Sequence, residues 1–98
     1  IRRTKEDDPK NAIMAALAGH RSMKMVTIVD EDIDITDPVR VEWAKVTRWQ
    51  PDVDTIILSH QKGSSLDPSR DNDGLTAKVG FDATLPWGVD HEGFKSVQ

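Results

Sequence analysis

No cysteine occurs in these 98 residues, which excludes disulfides, thiolate metal sites and cysteine nucleophiles and fits a cytoplasmic chain. Nor does any apolar run approach the roughly 20 residues that a membrane-spanning helix needs. Positive charge is scarce. Thirteen Lys and Arg stand against 17 Asp and Glu, for a net charge of −4 and a pI near 5.2. No basic stretch with interleaved aromatics appears, so the chain does not read as a nucleic-acid or anionic-membrane binder. Apolar residues make up only 37% of the chain, and a single thin core that leans on a partner is expected. The start, Ile1-Arg2-Arg3, is neither a signal nor a transit peptide and carries no initiator Met. It reads as a piece cut from a longer chain.

What is present is clear punctuation. In "DDPKNAIMAALAGH" Asp8 is placed as N-cap, Pro9 in the first helical turn and Gly19 at the end, with Ile13, Ala16, Leu17 and His20 on one face. Met25–Val29 is apolar and largely β-branched, a buried strand. "TDPVRVEWAKVTRW" repeats the helix pattern. Thr36 or Asp37 caps it, Pro38 opens it, Val39, Trp43 and Val46 line its apolar side, and Arg48 falls in the last turn, where a cation suits the helix dipole. "QPD" ends it, and "DTIILSH" is the next strand. Residues 61–74 form a long polar loop with Leu66 as their one apolar side chain. "LTAKVGFDAT" is a last strand, bent at Gly80, and if "IRRT" ends a preceding strand the order is β-α-β-α-β plus a late strand. The expected fold is α/β, with a small, mostly parallel sheet of three to four strands and two main helices. Residues 1–86 form the domain. Residues 87–98 form a tail whose Trp87 and Phe94 are costly to leave in water and should dock on this domain or on a neighbour.

Candidate chemistry starts with five acids, Asp30, Glu31, Asp32, Asp34 and Asp37. A calcium loop would need glycine at its sixth position and glutamate at its twelfth, and Ile35 and Val41 stand there instead. A phosphoacceptor site draws its acids from separate strand ends together with a lysine, whereas these are contiguous. A metal or phosphoryl site at Asp30–Asp37 stays as the lesser alternative. On the structural reading nearly every acid has a local role, since Asp30 ends a strand, Asp34 closes an Asx turn and Asp37 caps a helix. His20, His60 and His91 have no metal-ligand spacing, Ser64, Ser65 and Ser69 lack a nucleophile elbow, and "QKGSSLDPS" lacks P-loop spacing. No catalytic, cofactor-binding or metal residue is assigned.

Four ordered segments nevertheless resemble one family. "KEDDPKNAIMAALAGH", "VTIVDEDIDITDPVRVEWAKVTRWQPDVD", "GSSLDPS" and "GLTAKVGFDATLP" follow the pattern of the C-terminal domain of UbiD-like decarboxylases, from Thr4 to Pro86. The approach to the first helix departs from it, with Glu6-Asp7-Asp8-Pro9 where the family has more glycine. The resemblance implies a non-oxidative carboxy-lyase acting on aromatic or α,β-unsaturated acids, with prenylated FMN held by Mn2+ and K+ in the full-length enzyme and bound by none of these residues. The cofactor carries the hard chemistry in such an enzyme, and the protein orients it. The family's catalytic and metal-ligating motifs lie in its more N-terminal domains and are absent here. Implied partners are those N-terminal domains and further copies of the chain, to which this domain contributes an oligomerisation surface and one pocket wall while being inactive alone. A free-standing assembly module is the alternative. Arg48, Lys78, Trp87 and Phe94 are the candidates for interface or pocket wall. Arg48 is also read as an anchor to the acidic turn, Lys78 as a solvated surface cation, and Trp43 and Trp49 as core and interface anchors.

Overall fold

The computed structural model describes residues 1–88; Phe94 and the rest of the proposed tail lie outside the described residues. Two prolines open two helices. Helix α1 runs Asp8–Gly19, with Pro9, Ile13 and Leu17 buried at four-residue spacing on one face. Helix α2 runs Pro38–Arg48, and Asp37 caps it by accepting from the amides of Val39 and Arg40. Asp8, expected as the first cap, is instead the first helical residue, and Asp7 holds the cap position without a side-chain hydrogen bond. The Asp8 carboxylate turns back to accept from Thr4 N, Thr4 Oγ1 and Lys5 N, and those bonds hold its pKa below the ordinary aspartate value.

Strands β1 (Met25–Val29), β2 (Thr55–Lys62) and β3 (Leu75–Ala83) form one sheet in the order β1-β3-β2. β1 and β3 are parallel, while β2 and β3 are antiparallel. The sheet is therefore mixed rather than mostly parallel. The reason is local: residues 63–74 contain no helix, and a parallel pairing of successive strands needs a longer crossover. "IRRT" is not a strand; the order is α-β-α-β-β. The β2–β3 register shifts between Leu58 and Gln61, with His60 between them in the left-handed region (φ 56°).

The helices take opposite faces of the sheet. Alternation along β3 sends Lys78, Gly80 and Asp82 toward α1, and Val79, Phe81 and Ala83 toward α2. On the α2 side Val29, Ile33, Ala44 and Ala83 are buried together, with Val41, Trp43 and Trp49 against them. Trp49 meets Phe81 edge-on at 5.4 Å and donates its indole N–H to Thr55 Oγ1. On the α1 side Ile13 presses on Gly80, where a Cβ would come within 2.2 Å of Ile13 Cγ2. Gly80 is thus no bend; it lies mid-strand and lets the helix approach. Val39 and Val46, expected on the buried side of α2, are 74% and 77% exposed. The inward stripe is Val41, Ala44 and Arg48.

Candidate functional site

The acidic turn resolves residue by residue. Arg48, buried at the end of α2, donates Nη1 and Nη2 to the two carboxylate oxygens of Asp32 at 3.0 and 2.9 Å, and Nη1 to Asp30 Oδ2 at 3.2 Å. The fork matches the carboxylate geometry. It lowers the pKa of Asp32 and raises that of Arg48, in both cases chiefly through their shared hydrogen bonds. Asp34 Oδ1 accepts from Thr36 N and Oγ1, and Asp37 caps α2. Asp30 and Asp32 thus converge on the Arg48 guanidinium, while the Asp34 and Asp37 carboxylates are committed to neighbouring amides and a hydroxyl. No group of three or more His, Asp or Glu among the described residues is arranged to hold a metal ion. The metal form of the lesser alternative therefore has no supporting geometry among the described residues.

One cleft of about 370 Å3 opens at the C-terminal end of β3, on the α1 side. That is the edge of an α/β sheet where ligands are usually met. Residues preceding and opening α1 supply Arg3, Asp7 and Lys10; the end of α2 supplies Arg48; the approach to β2 supplies Asp54; and the strand end supplies Asp82, Thr84 and Trp87. Local hydrogen bonds place several of them. Asp82 Oδ1 accepts from Thr84 N and Oγ1, turning the chain out of β3. Asp30 Oδ2 accepts from Leu85 N at 2.7 Å, and Arg3 Nη1 donates to Leu85 O at 2.8 Å and to Thr84 Oγ1. The exit peptide is gripped on both sides. Arg3 also donates to the carbonyls of Lys5 and Glu6 and stands 5.2 Å from the Trp87 ring centroid.

Asp54 accepts from Gln50 N, and its carbonyl accepts from Asp82 N. Its pKa lies above the ordinary value, first through burial, with the neighbouring Asp82 charge adding to it and the Gln50 amide, Lys10 and Arg3 opposing. The lining thus sets Glu6, Asp7, Asp54 and Asp82 against Arg3, Lys10 and Arg48, and two of those cations are engaged with carbonyls or carboxylates. Such a lining does not fit the phosphate of a flavin. It offers a wall that holds polar groups in fixed places, without a poised nucleophile.

Of the four expected interface or wall residues, Arg48 and Trp87 meet in this cleft and Phe94 is outside the described residues. Lys78 is elsewhere. It is 4% exposed, not a solvated surface cation, and its Nζ donates to the carbonyls of Leu17, His20 and Arg21, closing the C-terminal end of α1. Reading the sequence missed Arg3, Asp54 and Asp82. Only Asp82 had a local signal, the Asp-x-Thr pair after a strand, a pattern also seen at Asp34-x-Thr36 and, with serine, at Asp67-x-Ser69.

Comparison with known proteins places this geometry. Residues 1–83 match the family described as the 3-octaprenyl-4-hydroxybenzoate carboxy-lyase C-terminal domain. An anhydromevalonate phosphate decarboxylase of Aeropyrum pernix is 54% identical over 86 residues, 88% of this chain and 20% of that protein. A gallate decarboxylase of Lactiplantibacillus plantarum is 33% identical over 87 residues, 80% of this chain and 18% of that protein. The chain spans about a fifth of the length of these relatives. Among solved structures, the UbiD-class enzyme HmfF of Pelotomaculum thermopropionicum in complex with FMN superposes over all of this chain and 22% of its own, with TM-score 0.92 and 41% identity. An evolved dimeric form of the same enzyme, in complex with prFMN, superposes over all of this chain and 20% of its own, with TM-score 0.70 and 32% identity.

Proposed function

The chain belongs to the UbiD carboxy-lyase family as its C-terminal domain, and from that premise we propose that it forms one wall of a decarboxylase active site whose reactive groups lie outside these residues. The observation that carries the reading is the cleft at the C-terminal end of β3. It is polar and hydrogen-bonded, yet its charges are engaged with one another or mutually opposed. A surface of that kind orients a substrate or excludes water and leaves bond breaking to a cofactor. In the whole enzyme that cofactor would be the flavin, prenylated FMN with Mn2+ and K+, held by the N-terminal domains. It would serve as the electron sink while the substrate loses carbon dioxide.

Among unsaturated and aromatic acids, anhydromevalonate phosphate is favoured over gallate as the substrate, because the relative named for the former is far more similar to this chain. The domain would work in the cytoplasm, docked on its N-terminal domains and on a further copy of the enzyme.

The test is complementation. The purified 98-residue chain should show no flavin absorbance and no carbon dioxide release. Co-expression with the N-terminal part should yield a flavin-loaded enzyme that decarboxylates anhydromevalonate phosphate. Tight flavin binding by this chain alone would sink the proposal.

A further inference from the structure

Strand β3 leaves the sheet through a short peptide that other segments hold. Asp30, just past the end of β1, accepts from Leu85 N, while Arg3, ahead of α1, donates to Leu85 O and to Thr84 Oγ1. Pro86 follows and pushes Leu85 toward extended backbone. The neighbours of Leu85 in this peptide, Thr84, Pro86 and Trp87, line the cleft. How the peptide is held therefore decides what the cleft presents.

Trp87 is its most exposed part. Trp43 and Trp49 pack against the core on the α2 side, but Trp87 stays 48% exposed. An indole left half in water gives up much of the burial that makes tryptophan stabilising. Arg3 stands 5.2 Å from its ring centroid, and an exposed cation–π contact of this kind adds little stability. The same guanidinium donates to the carbonyls of Lys5, Glu6 and Leu85, so it ties the segment before α1 to the strand exit. The ring is thus placed at the cleft rather than packed away.

We propose that Trp87 touches the substrate of the decarboxylase and that Arg3 is the positioning residue that sets its ring at the cleft. This rests on the reading of the cleft as an active-site wall and names the part of the substrate that meets it. That part is the apolar, unsaturated carbon skeleton, which packs well on an indole. The charged groups of the substrate are not what this face selects. Acids and cations share the lining, as at Asp54 and Lys10, and oppose one another.

Steady-state kinetics of the assembled decarboxylase on anhydromevalonate phosphate test it, with flavin content and mass checked for each variant. Trp87→Ala should raise KM about tenfold or more while kcat changes by less than about threefold, the pattern of lost binding rather than lost chemistry. Trp87→Phe keeps an aromatic face and should stay within about threefold of wild type. Arg3→Met should raise KM in the same manner, and Arg3→Lys, which keeps the cation, should recover part of it. Combined with Trp87→Ala, Arg3→Met should add nothing further, because it acts through the ring. In the 98-residue chain, the indole N–H resonance of Trp87 should move in Arg3→Met. An unchanged KM in Trp87→Ala overturns the contact, and so does a Trp87→Phe variant as impaired as Trp87→Ala. Multiplying effects of the two substitutions, or an unmoved indole resonance, overturn the role of Arg3. Because Trp87 is half exposed, its own variants keep the test decisive where Arg3→Met loosens the fold. A flavin-loaded wild type that releases no carbon dioxide defeats the carboxy-lyase reading and this contact with it. An active wild type with unaltered Trp87→Ala kinetics defeats the contact alone.

Discussion

At the residue scale, the acids after β1 show how sequence can state a problem and its solution together. Asp37 as a helix cap and Asp34 in an Asx turn follow from short polar side chains beside free amides, and both hold. Arg48 as the anchor of the acidic turn is legible too, because a helix-terminal cation sits across from strand-end carboxylates. Its burial is not, since that depends on which face of α2 meets the sheet. Arg48→Met should cost about 3 kcal/mol in urea unfolding, the lower end for removing one partner of a buried ion pair, because Asp32 is half exposed and can rehydrate. Arg48→Lys should recover little of it, a point charge being unable to span both oxygens. The pH dependence follows from the lowered pKa of Asp32. Its contribution is complete above the ordinary aspartate value, near 4, and drains away as pH falls through the lower folded-state value. In Arg48→Met that acid-side loss should shrink. Asp67 makes a cleaner spectroscopic case. The Ser69 hydroxyl, then Lys24, hold its pKa at about 2. Carboxyl-carbon NMR titration should place Ser69→Ala nearer the ordinary value, and Lys24→Met should move it in the same direction by less.

At the element scale, helix existence, the Asp37 cap and the β1 and β3 segments are readable because prolines, capping acids and β-branched runs act locally, whereas the cap expected at Asp8 falls inside the helix. Partnerships are not. β2 lies antiparallel to β3 because the connecting loop holds no helix, and the loop's composition hints at this without giving the pairing. Apolar patterning assigns the buried stripe of α2 to Val39 and Val46, and it fails because an arginine occupies one of the inward positions and counts as solvent-facing. Lys78 misleads for the same reason: a buried cation that satisfies helix carbonyls looks polar in the sequence. Gly80 resembles a bend in the sequence, whereas its role is contact between α1 and β3. That contact predicts a specific coupling. Gly80→Ala alone should destabilise by about 1–3 kcal/mol through overpacking. Ile13→Ala alone should cost about 2–5 kcal/mol through the cavity it leaves. The double variant should cost less than the sum of the singles in a denaturation cycle, since the new methyl occupies space that the isoleucine has vacated. A simple sum would mean that α1 does not rest on β3 through this pair.

At the scale of the whole molecule, the sheet keeps two surfaces apart. The cleft lies on the α1 side at the end of β3, whereas the exposed Met25 and Ile57 flank Val79 on the α2 side, at the middle of that strand. The core between them is thin, and so small a domain leaves Met25, Ile57 and Val46 largely in the open. Asp54 tests whether the cleft is working surface or only strand-end architecture. Because its folded-state pKa is raised, the native domain carries a penalty at neutral pH that vanishes once the acid is protonated. Its stabilising share is fully present below the ordinary aspartate value and is lost as pH rises through the raised one. Asp54→Asn removes the charge while keeping an acceptor for Gln50 N. The variant should therefore unfold at a higher denaturant midpoint than wild type at neutral pH, and the difference should close on acidification. In the assembled decarboxylase the same variant should release carbon dioxide more slowly with its mass unchanged. A gain in stability at the expense of activity is the mark of a group retained for function. If Asp54→Asn stabilises the domain and leaves turnover untouched, this carboxylate has no part in the decarboxylase.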